Sequence, residues 1–179
     1  MADRYLRNKD LIDQSKLDKI TVIGAGGIGS SLLQNAAIMG FKEIIVWDPD
    51  MLEEHNLSTT TWPEQFLNMS KVSAAETILK RLNKKVSVKM KPHFWEEGFP
   101  LANKVFLTPD NMEVRLKAYN TWKENPDREF LIDMRMGALG FEIITVTRES
   151  DYFMESYVPS SEIADDPCTA KHTIFCGSL

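Results

Sequence analysis

A glycine run, Ile23-Gly24-Ala25-Gly26-Gly27-Ile28-Gly29-Ser30, carries the strongest chemical signal in this sequence. It follows the apolar stretch Ile20-Thr21-Val22-Ile23 and opens a segment of helical periodicity. A second apolar stretch, Ile44-Ile45-Val46-Trp47, ends on Asp48. Strand, Gly-x-Gly-x-x-Gly, helix, strand and acid in this order make a nucleotide-binding βαβ unit. Gly24 permits the tight turn, Gly26 lets backbone approach a phosphate, and Gly29 lets the helix pack closely on the strand. The helix then offers an anion its unpaired N–H groups and the positive end of its dipole. Asp48 lies where a carboxylate accepts hydrogen bonds from ribose hydroxyls. The motif alone does not choose between NAD, FAD and ATP.

Four further pieces could do chemistry, and most fall at strand ends or helix starts, where open parallel sheets bind ligands. They are Asp48-Pro49-Asp50 with His55-Asn56-Leu57, Lys71 at the start of a helix, Thr108-Pro109-Asp110-Asn111 with Arg115, and Arg4-Tyr5-Leu6-Arg7. Taken singly, each has an ordinary explanation. Asp50 reads as a loop or cap charge or as a nucleotide ligand. Lys71 reads as a surface lysine, and Asp110 as the cap of helix 111–123.

Together, in this order and spacing, these residues resemble the ubiquitin-activating-type adenylyltransferases, the ThiF/MoeB-like family. The resemblance runs from Arg4-Tyr5-Leu6-Arg7 to Ile132-Asp133-Met134-Arg135-Met136-Gly137. It implies a Rossmann-like fold that binds ATP and attaches AMP to the C-terminal carboxylate of a ubiquitin-like or sulfur-carrier protein ending in Gly-Gly. It further implies that Gly24, Gly26, Gly27 and Gly29 cradle the nucleotide and that Asp48 holds the ribose. Asn56 and Lys71 would contact the phosphates, and Asp110 would sit near Mg²⁺. Asn111 and Arg115 would wall the site around Asp110. Arg7 would cross a homodimer interface to the partner subunit's ATP. Such sites work by positioning and charge neutralisation.

Two departures from the family pattern stand out. Relatives usually read Asn-Leu-x-Arg-Gln where this chain has Asn56-Leu57-Ser58-Thr59-Thr60, so Thr59 replaces a phosphate-binding arginine. Lys71, Arg115 or Arg7 would have to cover for it, or the chain is a catalytically impaired ATP-binding or scaffold partner of an activating enzyme. No Cys-x-x-Cys pair is present, which predicts no zinc in this chain. An NAD-dependent oxidoreductase fits the glycines but leaves Asn56, Lys71 and Asp110 unexplained.

The elements that must position these residues alternate. Strands are predicted at 19–23, 43–47, 86–90, 104–107, 130–132 and 141–147, and helices at 28–39, 71–82 and 111–123. Ser70 is the expected cap of the second helix and Gly40 the stop of the first. The pattern predicts an α/β, Rossmann-like, open and mostly parallel sheet with helices on both faces and an antiparallel extension near the C-terminus. Tyr152 to Val158 is read as a strand pairing with 141–147. Residues 1–17 read as a polar, helical arm, and 1–179 as one adenylation domain. Thr169 to Leu179 reads as an apolar helix in which the chain stops, suggesting truncation.

The 179 residues suffice for one domain with a core. A net charge of −5 argues against nucleic acid or a membrane surface as partner, tRNA included. The polar N-terminus and the lack of a long apolar run point to a cytoplasmic protein. Of the two cysteines, Cys168 follows Asp165-Asp166-Pro167 and is a weak candidate nucleophile, because those acids would raise its pKa; Cys176 reads as buried. Arg135, following Asp133, is a candidate for holding the carrier's tail.

Overall fold

The computed structural model describes residues 4–8, 10–137 and 140–159. Thr169 to Leu179, Cys168 and Cys176 therefore lie outside the described residues. Among the described residues nine strands and α-helices follow in chain order: β1 (Lys19–Ile23), α1 (Gly27–Met39), β2 (Glu43–Trp47), α2 (Lys71–Leu82), β3 (Ser87–Lys91), β4 (Lys104–Leu107), α3 (Met112–Glu124), β5 (Phe130–Gly137) and β6 (Gly140–Thr147). One six-stranded sheet has the order β3-β2-β1-β4-β5-β6. The first five strands run parallel and β6 pairs antiparallel with β5.

The strand sequences explain the layering. β1 and β4 are central and apolar on both faces, as parallel strands buried under helices must be. Ile20, Val22, Ile44 and Val46 point to one face and pack with Leu33 and Ala36 of α1 and with Val72, Ala75 and Leu79 of α2. Ile23, Trp47, Val105 and Leu107 point to the other and pack with Tyr119 and Trp122 of α3. The β3-to-β4 crossover contains no helix; Trp95 covers that face instead.

The order reverses between β1 and β4. β1 is followed in the sheet by β2 on one side and β4 on the other, so the loops leaving β1 and β4 diverge over opposite faces. This is a topological switch point, and the crevice above its carboxyl ends is where sheets of this kind take ligands.

Three expectations are corrected. Among the described residues the arm contains turns and one 3₁₀ turn, Gln14–Lys16, and no α-helix. It is held by tertiary contacts rather than by helix periodicity: Asn83 Nδ2 donates to Tyr5 Oη at 3.2 Å and Leu17 is buried. Tyr152 to Val158 is not a strand. Its aromatic residues stack instead, Phe153 on Tyr119 at 4.2 Å between centroids and Tyr157 on Phe153 at 6.2 Å. Asp151 anchors the segment by accepting from Tyr119 Oη at 2.6 Å. The antiparallel partner of β6 is β5, which runs to Gly137 rather than ending near residue 132.

At the opposite edge from the crevice, buried Lys104 donates to Asp18 at 2.6 Å and Glu129 at 2.7 Å. Partial burial pushes the Asp18 carboxyl up, but the Lys104 hydrogen bond and nearby backbone N–H groups outweigh it, leaving the pKa below its ordinary value. A lowered carboxylate pKa stabilises the fold above the unfolded value near 4, and that contribution fades as pH falls through the folded value. Asp18 is 56% exposed, so screening limits the effect to about 1 kcal/mol or less. Asp18→Asn is expected to lower the melting temperature at pH 7 and to lower it progressively less as the pH falls below 4, as thermal denaturation across that range will report.

Candidate functional site

The turn after β1 is fixed by steric necessity. Gly24 has φ +99°, and a Cβ there would lie 2.6 Å from the Thr108 carbonyl oxygen. A Cβ on Gly29 would lie 2.1 Å from the Gly24 carbonyl oxygen and 2.9 Å from Thr108 Oγ1. Gly29 thus lets α1 close onto the turn itself and onto the loop after β4, more than onto the strand. A Cβ on Gly26 would meet nothing within 4 Å, so the space above it is open. Gly26 is the N-cap and offers no side-chain cap, and Gly27 opens the helix. No acidic residue occupies the first turn. The leading N–H groups of α1 therefore present an anion-binding end.

Thr108 joins the two sides of the crevice. Its hydroxyl lies 3.0 Å from the Ile23 carbonyl and 2.8 Å from the Gly24 carbonyl, and its N–H donates to Ile23. Asp110, two residues on, is exposed, and its carboxylate has no hydrogen-bond or ion-pair partner among the described residues. The cap of α3 is Asn111, whose Oδ1 accepts from Val114 N at 3.0 Å, and not Asp110. The helix starts one residue later than its periodicity suggests, which releases the Asp110 carboxylate.

Asp48 lies at the end of β2 and is 6% exposed. Its two oxygens accept from Ala25 N at 2.7 Å and Asp50 N at 2.9 Å. Burial pushes its pKa up, against the opposing pull of Lys71 and the two N–H groups. Asp48 thereby ties the glycine turn to the loop carrying Asp50. Asp50 in turn accepts from Lys71 Nζ at 2.7 Å, and its carbonyl accepts from Lys71 N at 2.9 Å.

Lys71 is the first residue of α2, after a Ser70 cap that accepts from Ser73 N. A cation at this end of a helix opposes the dipole, and this one is also only 7% exposed. Its Nζ borders an open cavity of about 390 Å³ lined by Pro49, Asp50, Met51, Glu53, His55, Asn56 and Lys71. Asn56 Oδ1 accepts from Glu53 N at 3.0 Å and holds this rim. Because Asp50 is largely exposed and can hydrate, Lys71→Met should keep the fold. If Lys71 Nζ contacts phosphate, the same change weakens ATP binding by roughly 10- to 100-fold in calorimetry.

Thr59 does not replace the missing cation. Its hydroxyl donates to the Asn56 carbonyl at 3.2 Å. Arg115 is buried and pairs with Asp133, so it is not available over the cavity. Arg7 is exposed on the arm. Tyr5 of that arm packs against Gly40, at the far end of α1, and Arg4 donates to the Leu82 carbonyl. α1 is 13 residues long, so at about 1.5 Å per residue the arm lies roughly 20 Å from its own glycine turn. Arg135 is bound to Asp133, Glu142 and the Ser156 carbonyl.

Sequence reasoning misses the contacts of one residue it names and the whole of another. Thr108 was legible only as part of Thr-Pro-Asp-Asn after a strand. Trp62, whose Nε1 donates to the Ala25 carbonyl at 2.8 Å, has no local signal. Among the described residues no group of three or more His, Cys, Asp or Glu is placed to hold a metal ion. No helix there is long and apolar enough to cross a membrane.

A glycine turn, an uncapped helix start, a buried acid at the end of β2 and a switch-point crevice define a Rossmann-type domain. The chain belongs to the ThiF family, whose model matches residues 5–121. It is similar to SUMO-activating enzyme subunit 2 of Dictyostelium discoideum, 32% identical over 127 residues, 64% of this chain and 19% of that protein. It is also 32% identical over 71 residues to the SAMP-activating enzyme E1 of Haloferax volcanii, 39% of this chain and 26% of that one. E. coli MccB, solved with ATP, shares the fold with a TM-score of 0.70 at 21% identity, across 84% of this chain and 50% of MccB. The chain thus spans half or less of the length of these proteins.

Proposed function

We propose that this chain is an ATP-dependent adenylyltransferase domain that activates the C-terminal carboxylate of a ubiquitin-like or sulfur-carrier protein ending in Gly-Gly. One observation carries the reading: Asp48 binds the Ala25 N–H of the glycine turn and has Lys71 as a charge neighbour, while Thr108 seats the Asp110 loop on the Gly24 carbonyl, so three separate segments meet at that turn. In the reaction a carboxylate oxygen of the carrier attacks the α-phosphorus of ATP. The bond from that phosphorus to the α–β bridging oxygen breaks, and pyrophosphate leaves with the electron pair. The carrier is left as an acyl-adenylate.

Both reacting groups are anionic, so the domain must neutralise and align them. The α1 amino end and Lys71 receive phosphate oxygens, with Asn56 beside them, and Asp48 accepts from the ribose. Mg²⁺ fits the unpartnered Asp110 carboxylate, because this ion usually takes one or two protein carboxylates and otherwise phosphate and water oxygens. When bound with the triphosphate it neutralises charge on the leaving pyrophosphate. Arg7, distant from its own crevice, serves that of a second copy in a homodimer.

The test is paired. Calorimetry should detect ATP with Mg²⁺ and not NAD, and ATP–pyrophosphate exchange should depend on a Gly-Gly-ending carrier. NAD binding in place of ATP would overturn the assignment. Thr59, turned back onto the Asn56 carbonyl, favours a second reading: a nucleotide-binding partner of another activating subunit, impaired in catalysis. Tight ATP binding without exchange would select it.

A further inference from the structure

Asp133 ends the described polar network at the carboxyl edge of the sheet, in register with Leu107. It is fully buried and held between two guanidinium groups. Arg115 pairs with its Oδ1, and Arg135 Nε donates to its Oδ2 at 2.8 Å. Arg115 does more than form a salt bridge. It donates to the carbonyls of Pro109, of Met134 at 3.0 Å and of Leu107 at 3.4 Å. The Leu107 and Pro109 carbonyls flank Thr108, the residue that seats this loop on the glycine turn. Asp110 is thus fixed through its backbone on both sides, by Arg115 at Pro109 and by the Asn111 cap, while its own carboxylate is left unpartnered.

We propose that Arg115, anchored by Asp133, is the positioning residue for the Asp110 carboxylate and so sets the affinity for the divalent cation bound with the nucleotide. This rests on the adenylyltransferase reading above. Both residues are buried, Arg115 at 5% exposure and Asp133 at 0%. Arg115 acts by holding a short loop in one place, and Asp133 by holding the Arg115 fork. Only a planar guanidinium can bridge a carboxylate and several carbonyls at once; a lysine ammonium in the same space satisfies fewer of them. A displacement on the order of 1 Å at a metal-facing carboxylate is enough to change binding by a large factor.

The test is Arg115→Lys, with folding followed by circular dichroism. Mn²⁺ affinity is read by electron paramagnetic resonance in the presence of a non-hydrolysable ATP analogue. Affinity for the analogue alone, in EDTA, is read by calorimetry. The expected result is Mn²⁺ binding weakened about tenfold, with metal-free affinity unchanged within about twofold. Unchanged Mn²⁺ affinity in the folded variant overturns the proposal. Equal loss of both affinities also overturns it, because that is the signature of a merely structural role. If Arg115→Lys does not fold, Asp133→Asn, which keeps the side-chain shape, is read the same way, with the same two outcomes deciding. A wild-type chain that binds no analogue defeats the adenylyltransferase reading and the positioning role together. Wild-type binding with an unmoved variant defeats the positioning role alone.

Discussion

Asp110→Ala will abolish ATP–pyrophosphate exchange, lowering it by about 10³-fold or more, while circular dichroism and melting temperature stay as in the wild type. The clean separation of the two effects follows from local structure. Asp110 is exposed, caps nothing and pairs with nothing among the described residues. The cap bond of α3 belongs to Asn111, and the loop is held by Thr108 and Arg115 through backbone groups. Removing the carboxylate therefore deletes a charge from the crevice and no bond from the fold. Exchange that persists undiminished in this variant would remove Asp110 from the chemistry.

Gly29→Ala will do the reverse, damaging the site through the fold. The added methyl would stand 2.1 Å from the Gly24 carbonyl oxygen, a backbone atom that Thr108 also binds. The helix start, the turn and the β4 loop must all move apart to admit it. Overpacking of this kind destabilises by about 1–3 kcal/mol, and here the displaced groups are those that would face the phosphates. A lowered melting temperature together with undetectable ATP binding is expected. Gly26→Ala offers the comparison, since its methyl would meet no atom within 4 Å. A melting temperature for Gly29→Ala equal to that of the wild type would contradict the close approach described here.

Much of this architecture is readable from spacing alone, and the exceptions are instructive. β2, α2 and β4 begin and end where periodicity and the Ser70 cap put them. The end of β5 is not readable, because Met134 to Gly137 become strand only by pairing with β6. Tyr152 to Val158 has a strand-like composition, yet its aromatic rings serve stacking on α3. Asp110 reads as the cap of α3, but the bond to Val114 N is made by Asn111, one residue on, which a start one residue later than the periodicity suggests brings about. Arg115 reads as a wall residue around Asp110, and as one of three cations that could cover for the arginine that Thr59 replaces. Only its contact with Asp133, brought near by the β4–β5 pairing, decides that it is committed. The contacts of Thr108 and Trp62 are invisible for the same reason, since their partners are main-chain carbonyls 84 and 37 positions away.

The bond from Thr108 to Gly24 also bears on how the molecule is made. The two halves of the crevice are synthesised 84 residues apart, and such distant pairings form only after a large loop has been closed. The glycine turn leaves the ribosome 84 residues ahead of Thr108 and has no opposite wall until the β4 loop has followed and docked. Capture of ATP by a growing chain would therefore begin only after that docking, so that nucleotide retention reports completion of the sheet's central strands.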